Sequence, residues 1–399
     1  MLPEGRIMAN HDFFDSELFQ ELVSDLHEEA RFTATYRVEA EDFTEAKERA
    51  KEIAYEQTVE CPQELIAGTW IESRVIGHVE DIKKAAPGVW YVYISYLPEA
   101  VESDFTELLN MLFGNISLLP GIRLMSFDLP EAFLSTFNGP KLGQGGIREL
   151  CGVESGPILM SAVKPLGRSS EELAAMVSAF ALGGCPIIKD DHSLFDQKWA
   201  PFEERVRLCA DACAEANEKT GGSSIFVANC TGDGLAFLDR AYKAQELGAG
   251  GIMAAPGLLG FSLIKQLADA PDFQLPIFLH PCFTGSITMH EDSGISPFCW
   301  YGQICRLAGA DAVIFTSFGG RFTHSEQDCA LIAESLNLPM GQLRSPFPVP
   351  SGGMKRQLFR RMHRVYGDGT IFLVGGALQT EGPDLTENTK IFLQSLREA

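Results

Sequence analysis

The clearest chemistry in the sequence lies in four consecutive polar residues that follow the short apolar run 186–188, namely Lys189, Asp190, Asp191 and His192. Neighbouring residues of a strand point to opposite faces, so Lys189 and Asp191 are expected on one face. A lysine beside a carboxylate is consistent with a simple salt bridge. The functional alternative is a divalent cation held by hard oxygens, which suits Mg²⁺. CO2 added to Lys189 as a carbamate would supply a second anionic ligand, and His192 a nitrogen ligand.

Two further residues with catalytic side chains also follow short apolar runs. Lys164 comes directly after 158–163, and His280 comes directly after 276–279. A lysine whose pKa is lowered by burial or by neighbouring cations transfers protons. Lysines at such positions also bind phosphate or form a Schiff base, and the sequence leaves these alternatives open. A lone histidine is often structural, but at the end of a strand His280 is expected to serve the site.

Two glycine pairs stand at the ends of the last two apolar runs: Gly352 and Gly353 after Ser351, and Gly375 with Gly376. Barrel enzymes commonly bind phosphate through backbone N–H groups after their seventh and eighth strands. Ordinary tight turns use glycine as well, so a turn without a ligand is the alternative. The occurrence of two pairs at these particular ends favours a phosphate site.

Eight short apolar runs after residue 156 indicate the architecture that would position these side chains. The runs are Ile158–Val163, Pro186–Lys189, Ser224–Asn229, Gly251–Ala254, Pro276–His280, Ala312–Thr316, Phe347–Pro350 and Thr370–Val374. Helical stretches lie between them, including Ser170–Leu182, Pro201–Thr220, Gly234–Leu247 and Gly260–Ala268. This α/β alternation predicts a (β/α)8 TIM barrel, whose chemistry sits at the carboxyl ends of the strands. An open doubly wound sheet is the alternative, weakened by the absence of GxGxxG after the first strand.

The preceding part of the chain mixes strands and helices without regular alternation. Residues 1–138 are therefore predicted to form an α+β domain, and 139–399 the barrel domain. The predicted strands are 31–38, 69–79, 88–97 and 122–129, and the predicted helices are 42–55 and 106–113. Asp42 or Thr44 is expected to cap the first helix. Residues 1–30 are predicted to be a helical arm that packs on another surface.

The charge balance makes some classes of partner unfavourable. The 399 residues include 54 acidic side chains against 32 Lys and Arg, a formal charge of −22. Nucleic acid and anionic membranes both require a basic face, so neither is an expected partner. A small phosphorylated substrate can still bind in a local pocket of N–H groups and lysines. Ten cysteines without a CxxC pair predict reduced thiols in the cytoplasm, and neither a signal peptide nor a transmembrane run is expected.

A series of segments in fixed order and spacing extends from about residue 31 to the C-terminus. They are Glu56, 108–115, 137–140, 163–165, 183–184, 189–191, His280, 351–353 and 374–376. Together they resemble the large-subunit family of RuBisCO, and more closely its RuBisCO-like (form IV) branch. The resemblance implies an N-terminal α+β domain of ferredoxin-like type, a C-terminal barrel, and a homodimer or a higher homo-oligomer of dimers. It also implies that Glu56 and Asn110 reach the site of the partner subunit.

The resemblance further implies roles for the charged residues. Lys189 would be the carbamylated lysine, Asp191 a Mg²⁺ ligand and Lys164 the proton-transfer lysine. Three glycines would grip a phosphate: Gly353, Gly375 and Gly376. His192 stands where the family usually has a glutamate ligand, a departure that puts ordinary metal binding in doubt although imidazole can still ligate.

Other departures from the family pattern argue against carbon fixation. The segment 164–166 lacks a second lysine two residues after the first, and 58–62 replaces the usual Thr-Gly-Thr. The loop 318–321 offers only Arg321 in place of the loop lysine, and 312–315 lacks the usual histidine. Several parts needed for carboxylation are therefore missing.

The residues that are retained are suited to the stabilisation of an enediolate. The segment 110–114 looks more like the relatives in this branch that decarboxylate, or hydrolytically transfer carboxyl from, branched substrates such as 3-oxo-isoapionate 4-phosphate. The resemblance therefore implies Mg²⁺-dependent chemistry of that kind. The alternatives are a methionine-salvage enolase or isomerase using the same metal, and a non-catalytic protein that has kept the fold. His192 and the missing loop lysine motivate the last of these.

Overall fold

The structure is a computed structural model that describes residues 31–322 and 324–399. The predicted helical arm, 1–30, lies outside the described residues. In chain order, the described strands are β1 (Phe32–Glu39), β2 (His78–Ala86), β3 (Val89–Tyr96), β4 (Ile122–Asp128), β5 (Ile158–Val163), β6 (Ile187–Asp190), β7 (Ile225–Asn229), β8 (Gly251–Ala254), β9 (Ile277–Leu279), β10 (Gly294–Ile295), β11 (Ala312–Thr316), β12 (Phe347–Ser351) and β13 (Ile371–Leu373).

Helices alternate with these strands. In the described residues the α-helices are α1 (Phe43–Glu56), α2 (Phe105–Phe113), α3 (Glu131–Leu134), α4 (Gly143–Cys151), α5 (Ser170–Leu182), α6 (Phe202–Thr220), α7 (Ala236–Glu246), α8 (Pro256–Leu259), α9 (Ser262–Asp269), α10 (Gly285–Thr288), α11 (Cys305–Leu307), α12 (Glu326–Asn337), α13 (Phe359–Tyr366), α14 (Gly376–Gln379) and α15 (Leu385–Arg397). None of the helices in this part of the chain is long and apolar enough to cross a membrane.

The chain forms two compact units. The first runs to Phe137 and also includes Gly285–Gln303, and the second comprises Asn138–Thr284 and Ile304–Ala399. The expected division into 1–138 and 139–399 stays a prediction.

The first unit is built on a five-stranded mixed sheet in the order β10-β4-β1-β3-β2. β10 pairs parallel with β4, and the other neighbours are antiparallel. Asp42 caps α1 by accepting the N–H of Glu45 at 3.0 Å, so Asp42 and not Thr44 is the capping residue. The predicted α+β character is confirmed.

One predicted strand of this unit, 69–79, is wrong. Ile71–Val75 forms a single π turn, and the strand begins only at His78. The β-branched residues in the segment favour a strand, but the carboxylate of Glu72 accepts the N–H of Gly68 at 2.7 Å and closes a turn instead. A local side-chain bond to the backbone therefore overrides the propensity.

The second unit contains an eight-stranded sheet in the order β12-β11-β9-β8-β7-β6-β5-β13. Every ladder in it is parallel, and the sheet curves into a nearly closed barrel. The Ser161 hydroxyl donates to the carbonyl of Val374 at 2.9 Å and so links the first strand of the barrel to the end of the last. The predicted TIM barrel is confirmed, with each of its eight strands within one residue of the predicted bounds at either end.

The barrel interior is filled by apolar side chains from all eight strands. They are Ile158, Met160, Ile187, Ile225, Val227, Met253, Phe278, Ala312, Ile314, Phe347, Val349, Ile371 and Leu373, with Ile147 and Cys151 from α4. Residues two positions further along a strand face the same side. At the carboxyl end of each strand, the residue two positions after the last interior side chain therefore lines the mouth of the barrel.

Candidate active site

The strand alternation brings charged side chains to one end of the barrel. Lys189 lies two positions after interior Ile187, and His280 lies two positions after interior Phe278. The charges of Lys189, Lys164, Asp191 and His192 all act on the imidazole of His280. The five polar residues predicted from separate parts of the sequence therefore form one electrostatic cluster.

Lys189 is the most deeply buried member of this cluster, at 2% exposure. Its ammonium donates to the carbonyl oxygen of Asp190 at 2.8 Å. Burial lowers the pKa of Lys189 to about 8, and the positive charge of Lys164 acts in the same direction. The carboxylates of Asp191 and Asp190 oppose the shift without cancelling it. A large neutral fraction of this amine is consequently present near pH 8.

Asp191 follows β6 and remains a carboxylate at all moderate pH. Burial alone would raise its pKa, but the hydrogen bond from His192 and the charges of Lys189 and Lys164 hold the pKa well below its usual range. The Oδ1 atom of Asp191 lies 3.4 Å from Nδ1 of His192. The side chain of His192 is about half exposed, at 48%.

The two imidazoles of the cluster are stacked. The ring centroids of His192 and His280 lie 4.6 Å apart, with 9° between the planes. Nδ1 of His280 accepts the backbone N–H of Cys282 at 3.2 Å. Burial, together with the charges of Lys189 and His192, holds the pKa of His280 well below its usual value. The neutral ring therefore carries its proton on Nε2, which is free to donate to a ligand.

A buried polar network lies behind β6, and most of it was not predicted from the sequence. Asp190 and Arg205 form an ion pair of 3.3 Å with both side chains fully buried, and Asp190 also accepts the N–H of Asn229 at 3.0 Å. The amide of Asn229 donates to the carbonyl of His192 at 3.1 Å. The network thus holds the segment that carries Lys189, Asp191 and His192. The indication that Arg205 is buried is its position on the face of α6 that packs inward.

Lys164 lies against the second glycine pair. A Cβ atom on Gly375 would stand 2.9 Å from Nζ of Lys164, whereas a Cβ on Gly376 would meet nothing within 4 Å. Gly376 begins the short helix α14, which is held to β5 by the amide of Gln379 donating to the carbonyl of Ala162 at 2.7 Å. Absence of a side chain at Gly375 therefore makes room for the lysine.

The first glycine pair is tied to the loop after β11. The N–H of Arg321 donates to the carbonyl of Gly352 at 2.8 Å. Gly352 and Gly353 have φ values of +93° and +109°, a region that L side chains rarely adopt. The Ser351 hydroxyl donates to the carbonyl of Phe315 at 2.9 Å, so its proton is already used within the fold. The glycines explain the turn, and their phosphate role stays a prediction.

The two residues expected to serve a partner subunit lie close together in the first unit. Glu56 ends α1 and accepts the amide of Asn115 at 3.0 Å. The neighbouring Gln57, which is buried, donates to the carbonyl of Asn110 at 2.7 Å. Asn110 is exposed near the end of α2. Both residues therefore lie close to the buried Gln57, which joins the ends of α1 and α2. Their roles in the site of a partner subunit stay predictions.

The residues at the barrel mouth fit a divalent cation only in one chemical state. Among the described residues, no three His, Cys, Asp or Glu side chains converge as a ready metal cluster. Asp191 and His192 supply two donors, while the ammonium form of Lys189 would repel a cation. A carbamate on Lys189 would replace that charge with an anionic oxygen donor, and the lowered pKa of the amine favours its formation. The donor set fits a cation after that reaction.

Comparison with known families agrees with the fold described above. The model of the ribulose bisphosphate carboxylase large chain, catalytic domain, matches residues 145–380, which include every predicted site residue of the barrel. The chain belongs to the RuBisCO large-chain family. The resemblance recognised in the sequence is confirmed, and so is its RuBisCO-like, form IV character.

Several relatives match along most of their length. The 5-methylthioribulose-1-phosphate isomerase of Rhodospirillum rubrum is 35% identical over 374 residues, covering 92% of this chain and 97% of that protein. The 2,3-diketo-5-methylthiopentyl-1-phosphate enolase of Geobacillus kaustophilus is 35% identical over 288 residues, covering 72% of this chain and 70% of that protein. The crystal structure of a Rubisco-like protein from Rhodopseudomonas palustris aligns with a TM-score of 0.81 at 34% identity, covering 93% of this chain and 98% of that one.

Proposed function

We propose that this protein catalyses proton transfer beside a carbonyl group in a phosphorylated methylthio sugar, as an isomerase or enolase of methionine salvage. The observation that carries the proposal is the cluster of Lys164, Lys189, Asp191 and His280 at the mouth of the barrel. Relatives named as isomerase and enolase cover this chain widely and support the choice of substrate class.

The proposed reaction divides its tasks among the chain's own residues. Lys164 takes the proton as its neutral amine and returns it as the ammonium, since its Nζ atom lies at the mouth beside Gly375. His280, neutral and protonated on Nε2, donates a hydrogen bond to a substrate oxygen on which negative charge develops. Backbone N–H groups of Gly353, Gly375 and Gly376 bind the phosphate.

Asp191 and Lys189, the latter as its carbamate, would hold the metal of the proposed site, with His192 alongside. Mg²⁺ is the cation expected from the resemblance to the family. When bound, the cation polarises the substrate carbonyl and lowers the cost of the enediolate. The acidic surface is compatible with a small anionic substrate, because the local cluster contains two lysines.

We also propose a homodimer, in which Glu56 and Asn110 of one subunit complete the site of the other. Support comes from the family resemblance and from the position of half-buried Glu56 and exposed Asn110 at the linked ends of α1 and α2.

The decarboxylase interpretation, preferred from the sequence segment 110–114, has no support among the relatives named above. They favour the methionine-salvage alternative. Decarboxylation nevertheless leaves the same kind of enolate, so the experiment below includes it as an outcome.

The proposal is tested by incubating purified protein with a divalent metal, bicarbonate and D2O. Deuterium entry next to the carbonyl is followed by NMR in 5-methylthioribulose 1-phosphate and in 2,3-diketo-5-methylthiopentyl 1-phosphate. Exchange or conversion in one of these supports the proposal and separates isomerase from enolase. Lys164→Met is expected to abolish it. No exchange in either compound refutes the proposal, and CO2 release from a 3-oxo sugar-acid phosphate alone would replace it with decarboxylation.

A further inference from the structure

The available donors at the barrel mouth are of mixed type. Asp191 offers oxygen atoms and His192 offers imidazole nitrogen, and in the described part of the chain no further His, Cys, Asp or Glu joins them to form a cluster of three. The identity of the bound cation therefore depends on whether His192 is a ligand. This question rests on the proposed function only in taking Asp191 and Lys189 as the place where the cation binds.

The separation of the two donors is suitable for a shared ion. Nδ1 of His192 and Oδ1 of Asp191 are 3.4 Å apart. Two ligand atoms that each lie about 2.1 Å from one ion, at angles between right and tetrahedral, are about 3.0 to 3.4 Å apart. Both atoms can therefore bind one cation with little movement of either side chain, once Nδ1 has released the proton that it donates to Asp191.

The ring of His192 is also restrained before any ion arrives. One face stacks on His280 at 4.6 Å, and His280 is itself held by the N–H of Cys282. The backbone carbonyl of His192 accepts the amide of Asn229 at 3.1 Å. Ligands that are oriented in advance by such contacts bind metal more tightly. With 48% of its side chain exposed, His192 is accessible to an ion from solution.

The chemistry of the donor set then decides which ions are favoured. Mg²⁺ prefers oxygen ligands and gives up its water reluctantly. Imidazole suits the first-row transition metals, whose affinity for nitrogen and oxygen sites rises from Mn²⁺ through Co²⁺. We propose that His192 is a nitrogen ligand of the bound cation and that the site prefers Mn²⁺ or Co²⁺ to Mg²⁺.

The test uses the full chain, freed of metal by dialysis against a chelator and supplied with bicarbonate but no substrate. Free Mn²⁺ is measured by electron paramagnetic resonance during titration, and Mg²⁺ and Co²⁺ are measured by competition. We expect Mn²⁺ to bind at least about tenfold more tightly than Mg²⁺. Pulsed resonance on bound Mn²⁺ is expected to detect coupling to a ¹⁴N nucleus.

Three variants identify the source of that nitrogen. His192→Glu replaces imidazole by carboxylate, so the coupling should vanish and the Mn²⁺-to-Mg²⁺ affinity ratio should fall about tenfold. His280→Gln should retain the coupling, since His280 only stacks on the ligand. His290→Glu makes the same charge change at an exposed histidine of the other compact unit and should behave as wild type.

Three results would overturn the inference: bound Mn²⁺ without nitrogen coupling, the same affinity ratio in wild type and His192→Glu, or no binding of any of the three ions. If His192→Glu fails to fold by circular dichroism, His192→Gln removes the imidazole without adding charge and must lose the coupling. Because substrate is absent throughout, a nitrogen-coupled metal in a protein that exchanges no substrate protons would reject the proposed function and keep this inference.

Discussion

At the scale of single residues, burial rather than sequence spacing determines what Lys189 can do. Its spacing from Asp191 is consistent both with a metal site and with a simple salt bridge. The structure places its amine in the barrel interior, bonded to a backbone carbonyl and next to the positive charge of Lys164. These surroundings destabilise the ammonium form, which is the form that cannot react with CO2.

Carbamate formation on Lys189 should accordingly depend on pH. The amine must be neutral to attack CO2, and its pKa is lowered from the ordinary value to about 8. At constant dissolved CO2, the carbamate on Lys189 should therefore become appreciable at a lower pH than a carbamate on a free lysine, whose amine stays protonated to higher pH. Carbon-13 NMR with labelled bicarbonate measures it. Lys189→Met should lose the signal, and Lys198→Met, which changes an exposed lysine of the following loop, should keep it. Carbamate that appears on Lys189 only at the pH at which a free lysine side chain forms it in the same solution would contradict the prediction.

The contact between Lys164 and Gly375 leads to a second prediction. In Gly375→Ala the new methyl group would lie 2.9 Å from Nζ of Lys164 and displace it, whereas Gly376→Ala adds a methyl group to open space. Both variants keep the backbone N–H groups. We expect Gly375→Ala to lower kcat by about 10- to 100-fold through misplacement of the lysine, and Gly376→Ala to change it by less than about threefold. Steady-state kinetics on the methylthio sugar phosphate that proves active decides this. Equal losses in the two variants would mean that the lysine is not the group affected.

At the scale of elements, the site depends on how β6 is joined to α6. The two residues before Asp191 point to opposite sides of the strand. Lys189 faces the interior, whereas Asp190 faces outward and pairs with Arg205 of the helix. Arg205 also donates to the carbonyls of Phe195 and Ala200, both in the loop that connects the two elements. One buried guanidinium thus fixes strand, loop and helix together.

Removal of Arg205 should therefore be costly. Arg205→Met would leave the carboxylate of Asp190 buried without its partner, and breaking such a pair costs about 3–5 kcal/mol. A matched control is Arg207→Met, two residues along the same helix, whose ion pair with Asp211 is more than half exposed on both sides. The control should lose no more than about 1 kcal/mol. Urea denaturation followed by circular dichroism compares the two variants, and similar midpoints would show that the buried pair contributes little.

At the scale of the whole molecule, the barrel was readable from sequence because each strand is a short apolar run that ends in polar or glycine residues. A strand buried on both faces leaves that signal in every repeat. The π turn at Ile71–Val75 was not readable, because a carboxylate bond to Gly68 outweighs β-branched composition there. The stack of His192 on His280 was not readable either, since it depends on the spatial order of strands that are far apart in the chain.

The proposed homodimer is the feature of largest scale, and a complementation experiment tests it. If each site combines Lys189 of one subunit with Asn110 of the other, a heterodimer of Lys189→Ala and Asn110→Ala chains has one intact site of two. Its activity should be about half that of wild type, although both parent homodimers are inactive. Two affinity tags on co-expressed chains allow the heterodimer to be purified.

The reciprocal heterodimer makes the test decisive. A wild-type chain paired with a chain that carries both substitutions has no intact site if the sites are shared, because each site then receives one altered residue. If each subunit contains a complete site, the same heterodimer keeps about half the activity and the first one has none. The two arrangements thus predict opposite results for the same pair of heterodimers. The role of Asn110, which the structure leaves exposed at the end of α2, is decided by which heterodimer is active.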